Sequence, residues 1–151
     1  MPGGTGRANA QAARTRGREG GMKAIVVDDS RVARNVVKRI LEKLGIECIE
    51  AADGNAALEV LKNVDPPALA LLDWNMPNMS GYELLKALRM DTRYDVMRIM
   101  MCTSETESGQ MHKALMAGAD DYIMKPFTGD SVVMKLEMLG LAPESQGDSN
   151  A

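Results

Sequence analysis

Residues 68–73 read Ala68-Leu69-Ala70-Leu71-Leu72-Asp73, five apolar side chains in succession ended by a carboxylate. A strand with one face in water alternates apolar and polar residues. An unbroken apolar run of this length is instead expected in a parallel sheet covered on both faces. Working outward, the pattern recurs. Ala24-Ile25-Val26-Val27 is a second such run and ends in Asp28-Asp29. Val96 to Cys102, mostly apolar, reads as a further strand ending at Thr103, and Asp121 to Met124 as another, closed by Lys125-Pro126. Ile46 to Ala51 completes five predicted strands.

Helical spacing fills the intervals. Val32, Val36, Val37, Ile40, Leu41 and Leu44 recur at steps of three and four, and Gly45 stops that helix. Asp53 is placed to cap a helix carrying Ala57, Leu58, Leu61 and Val64. Ser80 and Glu83 form a capping box ahead of Leu84, Leu85 and Leu88, and Ser104 and Glu107 repeat the signature ahead of Met111, Leu115 and Met116. A last helix spans about Thr128 to Leu139, with Val132, Val133, Leu136 and Leu139 inward. Strand and helix thus alternate five times. Parallel strands joined through helices take right-handed crossovers, with helices on both faces of the sheet. The predicted fold is a three-layer (βα)5 α/β domain with a doubly wound parallel sheet, a single domain over residues 22–140.

Composition narrows the function. The 151 residues are 45% hydrophobic with a net charge of −3, which suits one domain of ordinary size. The charge divides unevenly. Residues 1–21 hold four arginines against Glu19, a net +3, whereas the rest carries 14 Lys and Arg against 20 Asp and Glu, a net −6. The first 21 residues lack large apolar side chains after Met1 and read as a disordered basic tail, or as a leader with Met22 as the native start. Residues 141–151 read as a frayed polar tail. The acidic body argues against DNA binding. No apolar run approaches the ~20 residues of a membrane span, so no membrane insertion is expected. Nothing resembles a secretory signal, and the expected setting is cytoplasmic. Cys48 and Cys102 are far apart and His112 is the single histidine, which leaves no Cys/His zinc site.

The polar residues at the strand ends carry the chemistry. Asp28 and Asp29 end the first strand, Asp73 the third, Thr103 the fourth and Lys125 the fifth. Each alone is ordinary, since Asp pairs cap helices and Lys-Pro closes loops. Together, five polar side chains from four strands reach one edge of the sheet, where open α/β sheets place their working groups. Three carboxylates brought close repel one another, and a hard divalent cation such as Mg2+ relieves the conflict. A free oxygen of Asp73 then suits nucleophilic attack on a phosphoryl donor, with Thr103 and Lys125 to hold the group.

Asp28-Asp29-Ser30-Arg31, Asp73-Trp74-Asn75-Met76-Pro77-Asn78-Met79, Thr103-Ser104-Glu105 and Tyr122 with Lys125-Pro126-Phe127 together resemble a response regulator receiver domain of two-component signalling. The resemblance covers residues 22 to about 140 and is closest to the stand-alone chemotaxis regulators. It implies a flavodoxin-like sheet of order 2-1-3-4-5 and a cis bond before Pro126. It implies that Asp73 accepts phosphate from a histidine kinase and that Asp28, Asp29, Asp73 and the backbone carbonyl of Asn75 hold Mg2+. It also implies that Thr103 and Tyr122 form the switch, that Lys125 pairs with the phosphoryl group, and that Asn75 and Glu105 tune its lifetime. Ser80 departs from the Asp common in the family, and the first 21 residues have no counterpart there.

The expected function is therefore a response regulator acting as a monomer by contact, not as an enzyme. The flagellar motor switch is the first candidate partner, through the face formed by the fourth helix, fifth strand and fifth helix. A phosphate carrier in a multistep phosphorelay is the alternative within the class. A haloacid-dehalogenase-type phosphatase is more remote, because Asn75 stands where its acid–base Asp belongs. A flavin carrier is also remote, because Asp28 and Asp29 would repel its phosphate. Met111, Met116, Met124, Met134 and Met138 fall on the output face, where gap-filling in a chain poor in aromatics is the preferred reading over docking. His112 reads as a surface residue and Cys102 as a small apolar one.

Overall fold

The computed structural model describes residues 21–104 and 109–141. Its strands are β1 (Met22–Val27), β2 (Ile46–Ala51), β3 (Leu69–Asp73), β4 (Arg98–Thr103) and β5 (Asp121–Met124). They form one parallel sheet in the order β2-β1-β3-β4-β5. The helices are α1 (Arg31–Lys43), α2 (Gly54–Lys62), α3 (Gly81–Arg89), α4 (Met111–Met116) and α5 (Gly129–Met138), with a short 3-10 turn at Thr92–Tyr94. This is the flavodoxin-like (βα)5 arrangement the sequence implied.

Every residue of β3 is buried, as its uninterrupted apolar run requires. One core packs Ile25, Val27, Ala70 and Leu72 against Leu61, Leu84, Leu85 and Leu88 of α2 and α3. The other packs Ala24, Val26, Leu69 and Leu71 against Val37, Leu41, Val132 and Leu136 of α1 and α5. Alternate residues of one strand thus serve opposite cores, and the side-chain period of two fixes which. Ser30, Asp53, Ser80 and Thr128 cap their helices through side-chain oxygens, and Ser80 with Glu83 forms the expected capping box.

Several boundaries differ from expectation. Strand β4 begins at Arg98, because the 3-10 segment is followed by a turn over residues 95–97; Met97 N donates to Tyr94 O and Val96 lies exposed. Val32 and Val36 are exposed on α1, where Val37 and Leu41 carry the burial. On α4 the buried pair is Met111 and Ala114, while Leu115 and Met116 face solvent. That helix has Gln110 at its N-cap without a side-chain cap, and Glu107 lies outside the described residues. Leu141 is buried and its N–H donates to Leu136 O, so the folded body includes it rather than ending at residue 140. Of the expected N-terminal tail (1–21), residues 1–20 lie outside the described residues, as do residues 142–151 of the expected C-terminal tail.

At the amino ends of β4 and β5, Arg89 ties distant segments together. It donates to the carbonyls of Gly118, Tyr94 and Met97 and to Asp120 Oδ2 at 2.8–2.9 Å. The same Asp120 oxygen accepts from Ile99 N at 2.8 Å. No described helix is long and apolar enough to cross a membrane.

Candidate functional site

The opposite edge of the sheet gathers the residues singled out by sequence. Asp28 follows β1 and is buried, its Oδ1 accepting from Ser30 N at 2.9 Å. Its backbone is held from both sides: Asp28 N donates to Ala51 O, and Arg34 Nη1 donates to Asp28 O at 2.7 Å. Asp29 beside it is exposed. Asp73 closes β3 and is buried at 7% exposure. Carboxylate oxygens of Asp28, Asp29 and Asp73 all lie within 4.8 Å of one another.

Lys125 directly follows β5, and its peptide bond to Pro126 is cis. Its Nζ donates to Asp73 Oδ1 at 2.6 Å and to Asp28 Oδ2 at 3.2 Å. One ammonium therefore faces three carboxylates, leaving a net excess of negative charge. Burial pushes the Asp73 carboxyl above the usual carboxylate range; Lys125 opposes this, and the charges of Asp28 and Asp29 add to it. For Lys125, burial disfavours the ammonium, but its hydrogen bond to Asp73 and the nearby carboxylates outweigh that and raise its pKa.

Thr103 ends β4 fully buried, and its hydroxyl donates to Ser104 O at 3.2 Å. Asn75 is exposed and lines the cleft with Asp28, Asp29, Ser30, Asp73, Ser104 and Lys125. Tyr122 is half-buried on β5, packed against the α2–α3–α4 core, with Lys135 Nζ 4.7 Å from its ring centroid. Glu105 lies outside the described residues. Cys102 is buried in β4, and burial pushes its thiol up to about 12, so it stays protonated and inert. His112 is exposed.

Sequence reasoning left out residues that shape the site. Ser104 lines the cleft. Gly81 N donates to Trp74 O at 2.9 Å, and a Cβ on Gly81 would collide with the carbonyl oxygen of Asp73, so only glycine lets α3 start this close to β3. The available signal was a glycine directly after the Ser80 cap. Asn78 takes a left-handed conformation, φ 70°, in the loop between them, which asparagine tolerates better than most residues. Trp74, buried beside Asp73, stacks on Tyr82 with ring centroids 5.6 Å apart.

The donor set is entirely oxygen, anionic and tightly grouped, with a single cation against it. It fits a hard divalent cation that keeps several waters. Asp28, Asp29 and Asp73 would hold it.

A buried carboxylate beside a lysine thus stands at the carboxyl edge of a five-stranded parallel sheet, where open α/β sheets place their working groups. The family profile of the response regulator receiver domain matches residues 24–137, and the chain belongs to that family. It is 42% identical over 120 residues to chemotaxis protein CheY1 of Helicobacter pylori, covering 78% of this chain and 96% of that protein. It is 38% identical over 119 residues to chemotaxis protein CheY of Pseudomonas aeruginosa, covering 78% and 95%. Among solved structures, the chemotaxis response regulator CheY4 of Vibrio cholerae superposes with a TM-score of 0.72 at 33% identity, covering 78% of this chain and 98% of that one. Receiver domains are not enzymes in the ordinary sense, and this family places the chain with them rather than with the hydrolases.

The methionines diverge from the gap-filling reading. Met111 is buried, but Met116, Met134 and Met138 are 75%, 60% and 69% exposed and so fill no core. On α4 and α5 they leave apolar side chains in solvent.

Proposed function

We propose that this chain is a chemotaxis-type response regulator that takes a phosphoryl group on Asp73 from a histidine kinase and changes its contact with a partner protein. The observation that carries the reading is the Lys125 bridge to Asp73 and Asp28 inside a cluster of three carboxylates. The similarity to proteins named for chemotaxis supports the signalling context.

The chemistry follows from charge. A carboxylate oxygen of Asp73 attacks phosphorus, the P–N bond of the kinase phosphohistidine breaks, and the imidazole leaves with the electron pair. The acyl phosphate carries more negative charge than the carboxylate it replaces, so its charge must be balanced by Lys125 and a bound cation. The Lys125 ammonium then faces a phosphoryl oxygen instead of Asp73 Oδ1. Asp28, Asp29 and Asp73, with the backbone carbonyl of Asn75, would hold Mg2+, which would offset charge on the transferring group. The Thr103 hydroxyl leaves the Ser104 carbonyl for a phosphoryl oxygen, and Tyr122 follows into the space vacated. Asn75 and Glu105 set how fast water reaches the acyl phosphate.

Output is by the face of α4, β5 and α5, where the exposed methionines give an adaptable apolar surface suited to a motor-switch protein. The test uses Trp74, the single tryptophan, adjacent to Asp73. Its fluorescence changes on adding Mg2+ and again on adding acetyl phosphate, and an Asp73→Asn variant loses the second response. A wild-type protein silent to both contradicts the reading. For the chemotaxis output, a deletion strain with normal chemotactic swimming counts against the motor role.

A further inference from the structure

A groove between α3 and α4, away from the carboxylate cluster, is lined by Tyr82, Lys86, Arg89, Met90, Lys113 and Met116. Lys86 Nζ lies 4.7 Å and Lys113 Nζ 4.5 Å from the centroid of the one Tyr82 ring. Two ammonium groups from two helices therefore converge over one aromatic ring. Each gains from the ring quadrupole, but they repel one another. Both lysines are exposed, and among the described residues no carboxylate forms an ion pair with either. Arg89 supplies no further free charge, because its guanidinium is spent on Asp120 and three carbonyls. At the same groove Met90 is 85% and Met116 75% exposed, so thioether side chains border the charged ring.

We propose that this groove docks an acidic segment of a partner protein carrying an apolar side chain. Its carboxylates meet Lys86 and Lys113, and its apolar group rests on Met90, Met116 and the Tyr82 ring. The charge complementarity is local, since residues 22–151 carry a net −6 and repel an extended polyanion. A short acidic segment confined to the groove avoids that repulsion, and its apolar anchor has a surface to bury. This groove lies on the α3 side of α4, sharing Met116 with the α4–β5–α5 face, and does not depend on phosphorylation of Asp73.

The test is a titration of the full chain with a short synthetic peptide of Glu and Leu at helical spacing. Amide shift mapping and Trp74 fluorescence are the readouts, since Trp74 stacks on Tyr82. Shifts are expected over residues 82–90 and 113–117. Lys86→Glu with Lys113→Glu should weaken binding at least about tenfold, the arginine pair should retain it, and a Lys/Leu peptide should not bind. Should the charge-reversed chain fail to fold by circular dichroism, the Lys86→Gln, Lys113→Gln pair replaces it and should still weaken binding. Unchanged affinity in these variants, no binding, or shifts confined to residues 121–138 overturn the proposal. So does a single-stranded oligonucleotide that occupies the groove in preference to the peptide.

Discussion

At the amino ends of β4 and β5, Arg89 meets Asp120; at the carboxyl ends of β1 and β3, Lys125 meets Asp28 and Asp73. Both centres join a cation to partly buried aspartate, yet their charge balance differs. Asp120 has two nearby arginines, Arg89 at 2.9 Å and Arg98 at 3.6 Å, and Arg89 satisfies three carbonyls besides. Among the described residues Lys125 is the one cation paired within a cluster of three carboxylates, bonding Asp28 and Asp73, and Asp73 is pushed up by burial. The first centre has its polar groups matched and holds the fold. The second is left short of positive charge, the condition under which a cation or a phosphoryl group finds work to do.

The contrast breaks if the two centres respond alike to mutation. Asp73→Asn should abolish phosphoryl incorporation from acetyl phosphate, read by intact mass, while leaving thermal stability nearly unchanged, because it removes one of three crowded carboxylates. Arg89→Ala should do the reverse. It leaves three carbonyls and a carboxylate short of a donor and should cost about 2–3 kcal/mol in urea denaturation, while the refolded protein still accepts phosphate. Next in size, Mg2+ at tenfold its Kd should stabilise the wild type by about 1.4 kcal/mol. Asp28→Asn should remove most of that gain, whereas Arg89→Ala should keep it. Equal Mg2+ stabilisation of wild type and Asp28→Asn would sink the assignment of the cluster.

The smallest effect sharpens the comparison at a surface site. Glu50 accepts from Lys38 at 2.9 Å and Arg34 at 3.1 Å, linking β2 to α1, and the Lys38 hydrogen bond lowers its pKa despite a contrary desolvation cost. A lowered folded-state pKa means stability present above the ordinary carboxylate range and lost as pH falls through the folded value. Glu50→Gln should therefore show a flatter fall in melting temperature below the usual glutamate pKa than wild type, by a small margin because the group is well solvated.

Much of this was legible in sequence for local reasons. An apolar run, a helix cap or a strand-end carboxylate is written in neighbouring residues, so all five strands and the positions of Asp28, Asp73, Thr103 and Lys125 could be placed from pattern. What escaped depends on partners far apart in the chain. Arg89 bonds residues 29 and 31 positions away, and Lys113 reaches a ring on another helix. Met116 misled because helical spacing names candidates for the inward face without saying how far a short helix rolls on the sheet. Val96 misled because an apolar residue next to Met97 reads as part of the strand, whereas it lies in the turn that precedes β4.

The most direct measurement is chemical trapping of the phosphoryl site. The full chain, incubated with Mg2+ and acetyl phosphate, is reduced with borohydride, which converts an aspartyl phosphate to homoserine. Peptide mass spectrometry should find that conversion at Asp73, dependent on Mg2+ and absent from Asp73→Asn. Conversion at another aspartate, or none while Mg2+ demonstrably binds, would contradict the account.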